Sequence, residues 1–249
     1  MITKKKHCTA ILLAGGKGKR MGSDLAKQFI LLRDKPVIWY SLKAIEDSDI
    51  IDDCILVVAQ DLMSYMREEV LNRYGFTKVL AMVPGGSERF ESVLNGIKGL
   101  QELKSGCDMG SGNAEVLYIH DGARPFLTEE IIKNCYENVL EHKACVAGMP
   151  VKDTIKLADE DGFAKVTPPR KLVWQIQTPQ VFDAGLVTEC YLKLEKALAA
   201  GESLFVTDDA SVVELFSDQR VKLVEASYEN MKLTTPEDLA VAEAILNRR

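Results

Sequence analysis

The stretch Thr9-Ala10-Ile11-Leu12-Leu13-Ala14-Gly15-Gly16-Lys17-Gly18-Lys19-Arg20-Met21-Gly22 decides the fold. After Thr9 come five apolar or small residues without helical spacing, which reads as a strand buried on both faces. The run then breaks into glycines and cations. A glycine-rich turn after such a strand lets backbone N–H groups come close to phosphate oxygens. Two familiar templates fail here. The dinucleotide fingerprint needs glycine where Met21 stands, and the G-x-x-x-x-G-K-[ST] loop finds no register. The turn instead carries Lys17, Lys19, Arg20 and, slightly further on, Lys27, a density that suits a triphosphate. A strand–helix turn with solvated lysines is the other reading.

Working outward, short apolar runs alternate with amphipathic ones. Thr9–Ala14, Cys54–Ala59, Lys78–Val83, Val116–His120, Ala144–Met149 and Val221–Ala226 read as strands rich in Val, Ile and Leu. Pro36–Ile45, Leu62–Tyr74, Ser87–Leu103, Thr128–Leu140, Asp183–Leu198 and Pro236–Leu246 read as helices. Thr128 and Thr235 supply capping hydroxyls before acidic first turns. This alternation predicts an α/β three-layer sandwich with a mainly parallel sheet. Ser105–Asn113 reads as a surface loop. Residues at about 150–172 break the rhythm: they alternate at Thr154–Leu157, turn at Asp161-Gly162 and re-extend through Phe163–Val166. That is a protruding β-arm on a single domain spanning 1–249. Its apolar Ile155, Leu157 and Val166 favour cover by a second copy.

Composition narrows the classes. The 249 residues hold 31 Lys and Arg against 37 Asp and Glu, a formal charge of −6. That argues against a nucleic-acid partner held by bulk phosphate attraction. Six cysteines, none at CxxC spacing, read as reduced thiols of a cytoplasmic protein. Three histidines make a multi-histidine zinc site improbable. No apolar run approaches the ~20 residues a membrane span needs. Lys4-Lys5-Lys6 before Ala10–Ala14 imitates a signal peptide, but the apolar run is too short and ends in Gly15-Gly16-Lys17.

Further constellations carry chemistry. In Pro84-Gly85-Gly86-Ser87-Glu88-Arg89-Phe90-Glu91-Ser92, the Gly-Gly pair allows tight backbone passage, and Arg89 and Ser92 lie near a helix start, where anions are favoured. In His120-Asp121-Gly122-Ala123-Arg124-Pro125, an Asp at the carboxyl end of a buried strand sits where ligands bind. Asp121 can hold Mg2+ while nucleotide phosphates supply the other oxygens, and Arg124 can clamp a phosphate. An Asp–Arg pair that merely locks the turn is equally open. His120 reads as structural. Lys232, before a capped helix, could reach a phosphate or could be plain surface. Thr207-Asp208-Asp209-Ala210 reads as a helix cap.

Taken in order, AGGKGKRMG, KQF at Lys27–Phe29, GGSERFESV, HDGARP, DTIK, QTPQVF, TDDA and NMKLTTPEDL span residues 14–239. Together they resemble the 2-C-methyl-D-erythritol 4-phosphate cytidylyltransferases of the non-mevalonate isoprenoid pathway. The resemblance implies a Rossmann-like domain, akin to nucleotide-diphospho-sugar transferases, whose arm interlocks a homodimer. It implies catalytic cations at Arg20, Lys27 and Lys232. Ala14, Gly15, Gly16, Gly18, Gly85, Ser92 and Asp121 would hold CTP and its Mg2+, with Asp121 the metal ligand. Arg124, Thr154, Arg170 and Thr178 would surround the methylerythritol phosphate, the arm's Thr and Arg serving the neighbouring subunit. The sequence departs from the pattern at Ala26, where the family usually has Pro; the fixed φ just before Lys27 is lost. The implied products are 4-diphosphocytidyl-2-C-methyl-D-erythritol and pyrophosphate. The alternatives are a ribitol 5-phosphate or other polyol-phosphate cytidylyltransferase, a non-catalytic nucleotide-binding protein, and a dehydrogenase, the last disfavoured by Met21.

Overall fold

The computed structural model describes residues 5–16, 27–106 and 115–249, excepting the side chains of 27 and 104–106. Among these, seven strands form one sheet: β1 (Cys8–Ala14), β2 (Asp53–Val58), β3 (Val79–Pro84), β4 (Val116–Asp121), β5 (Ala144–Pro150), β6 (Trp174–Asp183) and β7 (Lys222–Glu225). Their spatial order is β7-β5-β6-β4-β1-β2-β3. Every neighbouring pair is parallel except those of β6, which runs antiparallel to both β4 and β5. The mainly parallel α/β sandwich expected from the alternation is the observed architecture.

Both faces of the sheet are covered, which is why its central strands read as unbroken apolar runs. Ala10 and Leu12 of β1 face one core with α1 (Val37–Asp47) and α3 (Glu129–His142). Ile11 faces the other, with α2 (Arg89–Gly106), α4 (Ala184–Ala199) and α5 (Asp209–Phe216). The last helix, α6 (Pro236–Leu246), packs Ala242 and Ile245 against Leu32, Val37 and Phe126 in a smaller cluster. Of the loop expected at Ser105–Asn113, Ser105 and Gly106 end α2, and 107–113 lie outside the described residues.

The strand that the sequence pattern does not give is β6. Gln177, Pro179 and Gln180 interrupt its apolar character, and a mid-strand proline cannot donate to a ladder. The register shifts between Ile176 and Gln180, so Pro179 sits at an irregularity where no ladder N–H is needed. Between β5 and β6 runs the arm. Its short hairpin pairs Leu157–Ala158 with Ala164–Val166, and Gly162 takes a φ of 86° at the turn. Leu157, Phe163, Val166 and Leu172 are exposed along it, whereas Ile155 is half-buried. No helix of the described residues is long and apolar enough to cross a membrane.

The order places a crevice. The chain leaves β1 for β2 and β3 on one side, then returns to set β4 on the other side of β1. Ligands of wound sheets bind at the carboxyl ends of the strands at such a switch point. Helix α2 reaches this point by packing its glycines onto the sheet. A Cβ on Gly96 would come within 2.7 Å of Ile11 Cγ2, and one on Gly99 within 2.5 Å of Val83 Cγ1. In Gly96→Val the helix-propensity gain of under about 1 kcal/mol is outweighed by overpacking of ~1–3 kcal/mol. Urea unfolding should show a lowered midpoint at unchanged slope; an unchanged midpoint would mean the α2–sheet contact is looser than the structure has it.

Candidate active site

At the switch point β1 and β4 end side by side. Leu13 pairs with Asp121 across the ladder, and the Gly122 N–H donates to the Leu13 carbonyl at 2.9 Å. Glycine is required there, because a Cβ would stand 2.3 Å from Ile38 Cδ1 and 3.0 Å from that carbonyl. Next along the chain, a Cβ on Gly15 would lie 3.6 Å from Gly85 Cα, so the two backbones pass at close range. Ser92, in the first turns of α2, accepts the Gly86 N–H at 3.0 Å and fastens the second glycine turn. Glu91 folds back on the Ser87 and Glu88 N–H groups and leaves the turn's other side open. A cavity of about 830 Å³ results, lined among others by Gly15, Gly16, Gly85, Ser92, Asp121 and Lys232.

Lys232 is brought in by its neighbours. Asn230 is fully buried, and its amide donates to Gln177 Oε1 and the Thr178 carbonyl, both at 2.9 Å. The Leu233 N–H bonds the Ala123 carbonyl, and Leu233 enters the small core. Held on both sides, Lys232 puts Nζ 2.8 Å from Asp121 Oδ2. Arg89 Nε approaches the other oxygen at 3.3 Å, and Arg124 Nε lies 4.0 Å from Oδ2. Burial by itself would push the Asp121 carboxyl up; Arg89, Lys232 and Arg124 outweigh it and hold it well below the usual carboxylate range. Arg89 spends its fork elsewhere, both terminal nitrogens bonding Asp209 at 2.8 Å. Among these five charges three are positive and two negative, so the cluster around Asp121 keeps one excess positive charge.

His120 lies behind this cluster. Its Nδ1 is 3.0 Å from the Thr178 hydroxyl, which also accepts the Asp121 N–H at 3.1 Å, and its Nε2 is 3.4 Å from the Arg124 carbonyl. The network is satisfied by a neutral ring with its proton on Nε2. Burial pushes its pKa down from 6.5 to about 4.

Residues 8–248 match the family model IspD, 2-C-methyl-D-erythritol 4-phosphate cytidylyltransferase. This chain belongs to that family. It is similar to a 2-C-methyl-D-erythritol 4-phosphate cytidylyltransferase of Lachnospira eligens, 47% identical over 239 residues, 96% of this chain and 98% of the relative. One from Lachnoclostridium phytofermentans is 44% identical, over 96% and 95% of the two chains. The crystal structure of 4-diphosphocytidyl-2C-methyl-D-erythritol synthase from Anaerococcus prevotii superposes with a TM-score of 0.80 at 32% identity, covering 98% of this chain and 100% of that one.

The residues expected from this cytidylyltransferase family are not all brought together. Gly15, Gly16, Gly85, Ser92, Asp121 and Lys232 gather around the same cavity. Ala14 is buried beside it and gives its carbonyl to Gln28 Nε2 at 2.7 Å, which brings the Lys27–Phe29 turn to the end of β1. Gly18 and Arg20 lie outside the described residues, as does the Lys27 side chain. Arg124 lines a second hollow of about 440 Å³ with Gln177, Tyr228 and Met231. Thr178 is buried, its hydroxyl taken by His120 and Asp121. Thr154 and Arg170 are exposed on the arm, where Arg170 Nη1 donates to the Lys152 carbonyl.

Sequence reading missed the roles of three residues. Arg89 was expected near a helix start as an anion contact, yet its guanidinium fork is closed by Asp209. Asp209 was expected only within a helix cap; Asp208 makes the cap, accepting Ser211 N–H, and Asp209 is fully buried. Asn230 gave no local signal. For a metal, no group of three or more His, Cys, Asp or Glu side chains converges among the described residues. One ionised carboxylate with phosphate oxygens and water is a Mg2+ mode, and Asp121 fits it.

The buried histidine has a consequence for stability. The unfolded chain binds a proton at His120 below about pH 6.5 and the folded one only near pH 4, so stability falls as pH drops through that window. The loss amounts to about 3 kcal/mol. Asp121, depressed below the ordinary carboxylate value, adds its loss only at lower pH. Unfolding free energies of wild type and His120→Gln measured from pH 7 to 4 should show that slope in wild type alone; equal slopes would contradict it.

Proposed function

We propose that this protein is a cytoplasmic enzyme of one domain, residues 1–249, that transfers the cytidylyl group of CTP to 2-C-methyl-D-erythritol 4-phosphate. The products are 4-diphosphocytidyl-2-C-methyl-D-erythritol and pyrophosphate. Family membership supports the substrates. The observation that carries the reading is the Asp121–Lys232 pair, 2.8 Å apart, beside two glycine turns at the switch-point crevice.

The acceptor is a phosphomonoester with a second pKa of ~6, so it is mostly dianionic at neutral pH and attacks without a base. The site agrees: its one neighbouring histidine is buried, neutral and hydrogen-bonded on both ring nitrogens. What remains is to bring two polyanions together and stabilise charge on the α-phosphate and departing pyrophosphate. Lys232 serves there, with Arg20 and Lys27 in the same role. Backbone N–H groups of Gly15, Gly16 and Gly18 cradle phosphates, and Gly85 and Ser92 shape the nucleotide's seat. Charge within the cavity orients the nucleotide. Lys232 and Arg89 both reach Asp121 at the end of β4, whereas Asp61 follows β2, so the phosphates lie toward β4. Asp121 would hold Mg2+, which when bound supplies further neutralisation of the phosphate oxygens. Arg124 and Thr178 take the acceptor side, completed by Thr154 and Arg170 from the arm of a second copy at about 150–172.

Pyrophosphate release with each ribonucleoside triphosphate, offered methylerythritol phosphate and ribitol 5-phosphate in turn, tests the reading. Release with CTP and the first acceptor is expected; preference for ribitol 5-phosphate, or no release with CTP, overturns it. Lys232→Ala should retain its fold by circular dichroism and lose about 100-fold in turnover, as loss of one preorganised donor commonly does. Near-wild-type turnover would remove Lys232 from the mechanism. For the shared arm, mixing Arg170→Ala with Lys232→Ala chains should regenerate one intact site per mixed dimer. Mixed dimers without recovered activity would show that the arm serves its own subunit.

A further inference from the structure

Asp209 makes no contact with the cavity, yet it is joined to it by one residue. It is fully buried at the first position of α5 and accepts three hydrogen bonds: one from each terminal nitrogen of Arg89 at 2.8 Å, and one from the Tyr191 hydroxyl at 2.6 Å. A two-point fork–carboxylate pairing fixes the guanidinium plane, not only its distance. Tyr191 is itself fully buried, so the carboxylate has no freedom to follow Arg89 if the latter shifts. With its terminal nitrogens on Asp209, Arg89 turns Nε to the site, 3.3 Å from Asp121 Oδ1. The remaining Asp121 oxygen, Oδ2, is the one facing Lys232. The segments involved are 120 and 32 residues apart in the chain, and α5 also meets β6, the strand that carries Thr178, through the Gln180 side chain.

We propose that Asp209 is a positioning residue: by fixing Arg89 it sets the orientation of the Asp121 carboxylate and so determines which oxygen is presented to Lys232 and the nucleotide. Arg89, its guanidinium plane fixed by the two bonds to Asp209, acts as a strut for Asp121 and not as a phosphate clamp. This rests on the cytidylyltransferase reading of the cavity.

A structural role, a phosphate-binding role and a positioning role give different patterns. The test uses the full-length protein and measures thermal unfolding, CTP binding by calorimetry with Mg2+ present, and kcat and KM for CTP by pyrophosphate release. Asp209→Asn keeps size and acceptor oxygen but removes charge; Arg89→Lys keeps charge but cannot fork. Partners that orient a ligand-holding carboxylate typically affect affinity or activity by 10–100-fold. Each variant is expected to lower kcat by about that factor while the CTP dissociation constant changes by less than about threefold. If Asp209 acts only through Asp121, its loss has no further effect once Asp121 is altered. Asp209→Asn placed in an Asp121→Asn background should therefore leave the residual kcat unchanged.

Equal fold losses in the two backgrounds would overturn the proposal in favour of a general packing role, as would a lowered melting temperature with kcat intact. Weakened CTP binding at constant kcat would make Arg89 a phosphate ligand after all. If Asp209→Asn does not fold, Arg89→Lys alone and in the Asp121→Asn background decides the same question. A wild-type protein that releases no pyrophosphate from CTP would instead refute the functional reading. In that case, an effect of Asp209→Asn on Mg2+–CTP binding that is just as large in the Asp121→Asn background would separately count against the positioning role.

Discussion

A carboxylate stripped of water at the end of a β-strand is the constraint on which the rest of this molecule turns. Asp121 is 8% exposed, and an ion taken out of water costs several kcal/mol unless it is paired and hydrogen-bonded. Here it is paired with Lys232 and Arg89, its backbone N–H is taken by Thr178, and Arg124 adds field from 4.0 Å. Each of those partners needs support of its own. Arg89 is closed by Asp209, Thr178 by His120, and Lys232 by the buried Asn230 and Leu233 that flank it. The polar interior at the carboxyl edge of the sheet is thus one connected network, and a change anywhere in it reaches the crevice.

The topology supplies the members. Asp121 ends β4 because the strand's apolar run stops there. Arg89 opens α2, the helix that follows β3, and Asp209 opens α5, held close by the Gln180 side chain of β6, which bonds both Asp208 and the Ala210 N–H. β6 therefore does more than complete the sheet. It inserts between β4 and β5, carries Gln177, Thr178 and Gln180 into the buried region, and joins the nucleotide crevice to the helices behind it.

How much of this was legible follows from the range of each interaction. Buried parallel strands announce themselves locally, and so do caps such as Thr128 and the Thr235–Asp238 box, because period and hydroxyl placement are properties of a few neighbouring residues. The glycine turns at Gly15 and Gly85 were readable for the same reason. β6 was not, since Pro179 and two glutamines mimic a loop and only the irregular register explains them. The Arg89–Asp209 pair was unreadable in principle from pattern: the partners are 120 residues apart, and each has an innocent local role as a first-turn residue. Pattern left Lys232 open between a phosphate contact and plain surface, and the resemblance singled it out, because an isolated lysine has no signature until buried neighbours aim it.

An acidic group at the centre of a site for polyanions needs a reason. A free lysine side chain carries about 2 kcal/mol of rotamer entropy, which would be lost on meeting a phosphate. Asp121 already holds Lys232 in one place, so that cost is met in folding and not in binding. One of three ammonium protons is committed to the carboxylate, and two remain for incoming oxygens. The cluster around Asp121 keeps one excess positive charge after the pairing, even though Asp61 and Glu88 line the same cavity and the chain as a whole carries −6. Attraction for a triphosphate is therefore a property of fixed geometry at one crevice and not of net charge. The carboxylate's place there is to keep the cations from dispersing into water when the crevice is empty.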